Sequence, residues 1–385
     1  MISVASIVLN NFLNDSRVLK EAISLRNNDF KVCVIALHEN DLAQEEIVED
    51  ILVRRVKLSS RNWSKNKFVQ IFKYFEFLHK AYQLVKRKEI IHCNDLKALP
   101  VGFLVKKLFN SQVKIVYDAH EYETQMYGLS KLDKFFAFII EKNLISSADV
   151  VFTVSDSIAD EYKKLYGIAK PRLIYNTPVY KDVAEFSEND NVFRQKFNIA
   201  ENQKIFIYQG GFSKSRGIES ILVAFDHLHS NYKGEKDSLP VIVFMGYGLL
   251  LPLVLQFSNR CSNIFYHPAV KINDVFDYTK CADFGILYTE NSCLNNYYCM
   301  PNKIFEYLMA EVPVIASNTK DVKSFVDKKN VGEVAESNDV YGLLNAIKKI
   351  LSKDASQFRE NILSVKKEYN WESQEKKMIE AYHNL

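Results

Sequence analysis

Two stretches in the second half of the chain combine residue types that can hold an anion and a diol. In CMPNKIFEYLMAEVPVIAS, residues 299–317, Pro301 suits the first turn of a helix, where its missing N–H is not needed. Ile304, Phe305, Leu308 and Met309 supply a buried face at helical spacing, which puts Glu306 one turn in. The free amides of such a helix start can hold a phosphate, and a carboxylate there can accept hydrogen bonds from a ribose diol. The same spacing also describes an ordinary amphipathic helix whose Glu306 pairs with Lys303. In IYQGGFSKSRGIESILVAF, residues 207–225, Gly210 and Gly211 let the backbone approach a ligand closely. Lys214 and Arg216 can neutralise a diphosphate, Arg through its bidentate fork. The alternative is a solvated turn with two surface cations. No GxxxxGK[ST] loop is present.

The elements that must position these residues are short β-branched runs alternating with helical-period segments, the pattern of parallel βαβ units. SVASIVL, KVCVIAL, EIIHC, VKIVYDA, DVVFTVS and RLIYN are the strands expected in the first half. KIFIYQG, VIVFMG, NIFYH, DFGILY and VPVIAS are those of the second. The fold class is therefore α/β, with two Rossmann-like doubly wound domains facing across a cleft. At 385 residues the chain has room for both. The polar stretch after Thr177 breaks the alternation, so the domains are drawn at 1–178 and 200–370, with a carboxyl-terminal helix over 371–385 packing back on the first.

Composition narrows the partners. A net charge of +3 does not point to nucleic acid. The six cysteines have no metal-ligand spacing and read as reduced, mostly buried thiols, which with no signal-like start places the chain in the cytoplasm. The charge is uneven: from Arg54 to Lys107 fourteen Lys/Arg stand against three acids. Aromatic residues interleave with the cations in KNKFVQIFKYFEFLHKAYQLVKRK, which suits either an anionic membrane surface or a core-facing helix with a solvated basic edge. Asn14 and Asp15 follow the first strand, and Asp15 reads first as a helix cap.

The ordered run GGFSKSRGIESILVAF, VFMGYG, HPAV, ADFGILY and PNKIFEYLMAEVPVIAS, preceded by NDSRVLKEAISL, HCNDLKALPVG, YDAHEYE and ADVVFTVS, resembles the retaining GT-B glycosyltransferases of family 4 over nearly the whole chain. The resemblance implies that Glu306 holds the donor ribose and that, after Pro301, the amides around Asn302 and Lys303 face the donor phosphates. Arg216 stands where that family has a lysine. Gly211 stands where its turn has an arginine, and Lys214 is the substitute. The family's paired glutamates, spaced E-x7-E, are incomplete because Tyr298 occupies the first position, and Glu290 in an enlarged loop is the carboxylate that replaces it. His267 and Val270 would meet the nucleobase, though a plain strand-end histidine describes His267 as well. His120 would lie beside the donor sugar, where imidazole can donate a hydrogen bond or carry charge. Glu121 joins Asn14 and Asp15 as acceptor-side residues.

Glycosyl transfer leaves negative charge on the departing diphosphate, so fixed positive groups there are its main lever. Arg216, Lys214 and the start of the Asn302 helix are those groups, and no DxD-type pair is placed to hold a metal. The expected reaction is retaining, free of metal and cofactor, from a nucleotide-diphosphate sugar to a saccharide, lipid-linked if the basic segment meets a membrane's inner face. A nucleotide-sugar 2-epimerase and a noncatalytic nucleotide- or saccharide-binding protein are the other classes this scaffold allows.

Overall fold

The computed structural model describes residues 1–39, 41–183, 191–354 and 356–385. The chain forms two compact units, Met1–Tyr175 with Gln374–Leu385, and Asn176–Ser373. Both are α/β with largely parallel sheets, the class that the alternating pattern predicts.

The first unit holds β1 (Ser3–Ile7), β2 (Lys31–Leu37), β3 (Glu45–Val48), β4 (Ile51–Val56), β5 (Ile90–Asn94), β6 (Lys114–Ala119), β7 (Val150–Thr153) and β8 (Arg172–Leu173). Their order is β3-β4-β2-β1-β5-β6-β7-β8. All neighbours are parallel except β3 and β4. The central strands read as continuous apolar runs because helices cover both faces, and β5 is buried along its whole length. The β3–β4 hairpin is absent from the sequence reading, since Arg54 and Arg55 interrupt its apolar pattern. In the sheet these arginines meet Glu45 at 2.9 Å and Glu46 at 2.5 Å across the strands. Glu49 and Asp50 make the turn with φ of 48° and 57°.

The second unit holds β9 (Ile205–Gly211), β10 (Val241–Tyr247), β11 (Ile264–Pro268), β12 (Phe284–Leu287), β13 (Val314–Ala316) and β14 (Gly332–Val334). All are parallel in the order β11-β10-β9-β12-β13-β14. Three-residue β14 is too short to leave a pattern in sequence. The unit begins earlier than residue 200: Asn191 caps the helix Val192–Phe197 and donates to the Cys281 carbonyl at 2.8 Å. Phe193 of that helix is buried. Residues 184–190 of the expected linker lie outside the described residues.

The helix Trp371–His383 spans the boundary. The Trp371 N–H donates to the Pro178 carbonyl in the second unit at 2.8 Å. From Gln374 on the chain belongs to the first unit, where Gln374 accepts from the Tyr175 N–H and Tyr382 sets its ring edge against Phe30. No disulfide joins the cysteines, and four of the six are buried.

Candidate functional site

In the second unit, the candidate residues gather where β9 and β12 end, the side on which open parallel sheets place ligands. Gly210 closes β9 with φ of +112°, and a Cβ there would stand 3.0 Å from Lys303 Cε. Its absence lets the Lys303 side chain lie across the strand end. Lys303 Nζ donates to the Tyr208 hydroxyl at 2.7 Å and stands 3.9 Å above that ring. The Tyr208 hydroxyl in turn donates to the Gly211 carbonyl at 3.1 Å. Burial, and then the neighbouring Arg216, push the Lys303 ammonium down to about 7, with Glu306 acting the other way.

Lys303 is the second residue of the helix Asn302–Met309, which starts at Pro301 with no side-chain cap. Its first amides are therefore open, with Asn302 exposed. Tyr307 joins the four expected apolar residues on the buried face. Glu306 takes a partner other than the Lys303 open to it in a plain amphipathic helix. Its Oε2 accepts from Gln209 Nε2 at 2.7 Å, and Gln209 Oε1 lies 2.7 Å from the Thr279 hydroxyl. Gln209 is buried, so this pair fixes the direction of the carboxylate.

The turn after β9 is held from below. Ser215 has φ of 65°, and its carbonyl accepts the Glu290 N–H at 3.0 Å. Gly217 has φ of +71°, and a Cβ would fall 1.9 Å from the Tyr288 carbonyl oxygen, so only glycine fits between turn and β12 loop. Half-buried Arg216 is thereby set beside Lys303 and Tyr208, whose protonation it biases. Lys214 is exposed, and the Cβ direction of Gly211 meets open space.

The enlarged loop after β12 contains a short helix, Leu294–Tyr298. Asn296 ties it back to the Glu290 carbonyl at 3.2 Å and to Ser292 at 3.0 Å. Glu290 is half-buried, and burial together with Glu219 raises its carboxyl above the usual range. Tyr298 lies under Lys320 Nζ at 5.1 Å from the ring centre. His267, at the end of β11, points into an aromatic cluster with Tyr278 and Phe193 at 4.9 and 5.9 Å. Its Nδ1 is 2.7 Å from the Pro268 carbonyl, which assigns the proton to that nitrogen, and burial lowers its basicity. The side chain serves the strand end, and half-buried Val270 follows it.

In the first unit, His120 follows β6 as part of a buried charge network that extends well beyond the residues picked from sequence. Asp118 receives Arg17 through both carboxylate oxygens, at 2.7–3.0 Å. Arg17 also donates to the Ile174 carbonyl at 2.8 Å and pairs with Glu21 at 3.0 Å. His120 lies 3.2 Å from Asp118 and 3.5 Å from Asp95. Burial favours the neutral ring, but Asp95 and Asp118 outweigh it and push His120 up to about 10. His120 is therefore an imidazolium at neutral pH, a hydrogen-bond donor and not a base. Against burial, Arg17 and His120 hold Asp118 well below the usual carboxylate range, whereas burial raises Glu21 well above it.

His92 lies behind this network on β5, its Nδ1 2.6 Å from the Tyr382 hydroxyl. Ligand-type atoms of Glu21, Asp118 and His120 come within 4.8 Å of one another. Arg17 already holds Asp118 there, so the group is an ion-pair network. Asp15 caps the helix Ser16–Asn27 through the Val18 N–H at 3.2 Å and accepts from Asn10 at 2.7 Å. Asn14 is exposed and Glu121 half-buried. Reading from sequence missed Arg17, Glu21, His92, Asp95 and Asp118. Asp118 had a signal: a carboxylate inside the buried run VKIVYDA requires a partner.

Residues 16–177 match the family description Glycosyltransferase Family 4, and residues 238–380 match Glucosyltransferase 3-like, C-terminal domain. A putative teichuronic acid biosynthesis glycosyltransferase, TuaC of Bacillus subtilis, is 26% identical over 246 residues, which are 62% of this chain and 56% of that protein. The chain thus spans little more than half the length of that relative. Among solved structures, sucrose-phosphate synthase of Thermosynechococcus elongatus superposes with a TM-score of 0.77 at 17% identity, covering 100% of this chain and 99% of that one. Anabaena Alr3699/HepE in complex with UDP and glucose gives 0.73 at 15% identity, with both chains covered in full. The fold of the chain is GT-B.

Proposed function

We propose that this chain is a GT-B glycosyltransferase, moving a sugar from a nucleotide-diphosphate donor in the second unit to a saccharide acceptor. The observation that carries the reading is the aimed carboxylate of Glu306, fixed by Gln209 one turn inside an uncapped helix start. Beside it, Arg216 has no ion pair or side-chain hydrogen bond among the described residues. A ribose diol can donate to Glu306 while the diphosphate lies against the open amides, Lys303 and Arg216. These positive groups would stabilise the departing diphosphate without a metal. In the first unit, His120 would contribute a positive charge, its two ring nitrogens facing Asp118 and Asp95.

The solved HepE complex holds UDP and glucose, which supports a UDP-sugar as the first donor to test. TuaC, named for teichuronic acid biosynthesis, supports an acceptor in cell-envelope polysaccharide. We extend the reading to transfer with retention onto a lipid-linked acceptor at the cytoplasmic face of a membrane, to which the basic segment 54–107 is drawn. Asn14 and Glu121 remain acceptor-side candidates, while the Asp15 carboxylate is engaged as a cap.

Thermal-shift and calorimetric titration with UDP, GDP, ADP, CMP and their sugars tests the donor assignment. At least one should stabilise the chain, and Glu306→Ala should weaken it tenfold or more, as expected when hydrogen bonds to a charged group of about 1.5–3 kcal/mol are lost. Stabilisation by none of them, or an unchanged affinity in the variant, refutes the assignment.

A further inference from the structure

The helix Lys131–Leu144 of the first unit is built inside out. Its one fully buried residue is Glu141, whose carboxylate takes the hydroxyls of Tyr117, Tyr162 and Tyr166 at 2.5, 2.7 and 2.5 Å. On the opposite side Leu132, Phe135, Phe136, Ile139 and Ile140 follow i, i+3, i+4, i+7 and i+8 spacing and are 40–69% exposed. That spacing normally marks the face turned to the core.

The helix Lys67–Val85 has the same peculiarity in its first half. It buries Phe77, Leu78, Ala81 and Val85, yet Phe68, Ile71, Phe72 and Phe75 form a second apolar stripe that is 53–86% exposed. Trp63 stacks on Phe72 at 5.4 Å. Lys67 and Asp133 meet at 3.3 Å, so the first turns of the two helices come together. No helix among the described residues is long and apolar enough to cross a membrane.

We propose that the two stripes together form a wedge that inserts into the headgroup and upper acyl region of an anionic bilayer. It rests on the membrane attachment suggested above and changes its character from adsorption of a basic segment to insertion of two aromatic faces. Charge selects the bilayer over a protein partner. Residues 61–75 carry four Lys/Arg and no acid. Along 127–144, Lys131, Lys134 and Lys142 face only Asp133, which is paired with Lys67, and Glu141, which is buried. An apolar centre rimmed by one sign of charge fits lipid headgroups of the other sign.

Flotation with phosphatidylglycerol-containing and pure phosphatidylcholine vesicles tests this on the full chain. The chain should float with the anionic vesicles at low salt and keep measurable binding at about 0.5 M NaCl, where surface charge is screened. Phe135→Ser with Phe136→Ser should lower partitioning about tenfold or more, leaving circular dichroism and the nucleotide-sugar thermal shift unchanged. Trp63 fluorescence should shift to the blue on the vesicles. Binding that the double variant retains in full, or that disappears at high salt, overturns insertion and leaves adsorption. Failure to float on any vesicle, or a solution dimer that the double substitution dissociates, overturns the bilayer as the occupant. The thermal shift with nucleotide sugars reports the donor reading separately in each case.

Discussion

If a donor diphosphate binds as proposed, Lys303 should make its binding depend on pH, in the direction set by the Lys303 surroundings. Burial and Arg216 bring its ammonium down to about 7 in the free protein, so about half the molecules hold it neutral at pH 7. A diphosphate at the adjoining helix start supplies the negative charge that restores the proton. If binding returns the group to its ordinary value of about 10.4, the affinity is complete below pH 7. It then falls about tenfold per unit as pH rises toward the bound value. Between pH 7 and 9 the loss is roughly 50-fold, somewhat over 2 kcal/mol. Isothermal titration with a nucleotide sugar is the assay, because its diphosphate is a diester and carries no titrating proton in this range. Titrations at pH 7 in two buffers of different ionisation enthalpy should show uptake of about half a proton per site. Lys303→Met should abolish both the uptake and the slope and weaken binding at pH 7. An affinity that stays level from pH 7 to 9 in the native chain, or a slope that survives in Lys303→Met, refutes the reasoning.

Gly211 faces open space and lies outside the left-handed region, so Gly211→Arg should fold normally. The added cation should tighten nucleotide-sugar binding by several-fold at low salt, read by the same titration; no gain would mean that the diphosphate does not pass this position. Gly217→Ala has no such room: its Cβ would fall 1.9 Å from the Tyr288 oxygen at φ of +71°. Strain of about 1–3 kcal/mol and displacement of Arg216 should lower the melting temperature and weaken the donor at least tenfold, whereas native behaviour in both measurements would contradict the turn geometry. Asp118→Ala strips Arg17 of its buried carboxylate, a loss of about 3–5 kcal/mol. Differential scanning fluorimetry should show a fall of roughly 10 °C, and a fall below about 2 °C would show the network to be dispensable.

The parts of this molecule legible in its sequence are those in which a residue's neighbours along the chain are also its neighbours in space. Central strands and the helix Asn302–Met309 show their periodicity directly, and the Gly210–Gly217 turn shows its glycines. The β3–β4 hairpin was hidden because Arg54 and Arg55 are satisfied by Glu45 and Glu46 across the ladder, a pairing that alternation of apolar residues does not encode. The helix Lys131–Leu144 was read over for a related reason: its stripe has the spacing of a core face, and only burial shows that it points outward.

The charged centres were half legible for a different reason. Glu306 and His120 stand in runs with a recognisable frame, but what sets each of them is a residue far along the chain: Gln209 for Glu306 and Asp118 with Asp95 for His120. A polar residue inside a buried strand run, such as Asp118 in β6 or Gln209 in β9, announces that a partner must exist, because an unpaired one costs several kcal/mol. It does not say which of the chain's 50 cations or which carboxylate supplies it. That choice is made by the strand order, which sets β6 next to β5 and its Asp95 loop and brings the Arg17 helix over both. The protonation of His120 is thus a property of topology. A ring that sequence alone allows to donate a hydrogen bond or carry charge becomes an imidazolium because two strand ends deliver carboxylates to it.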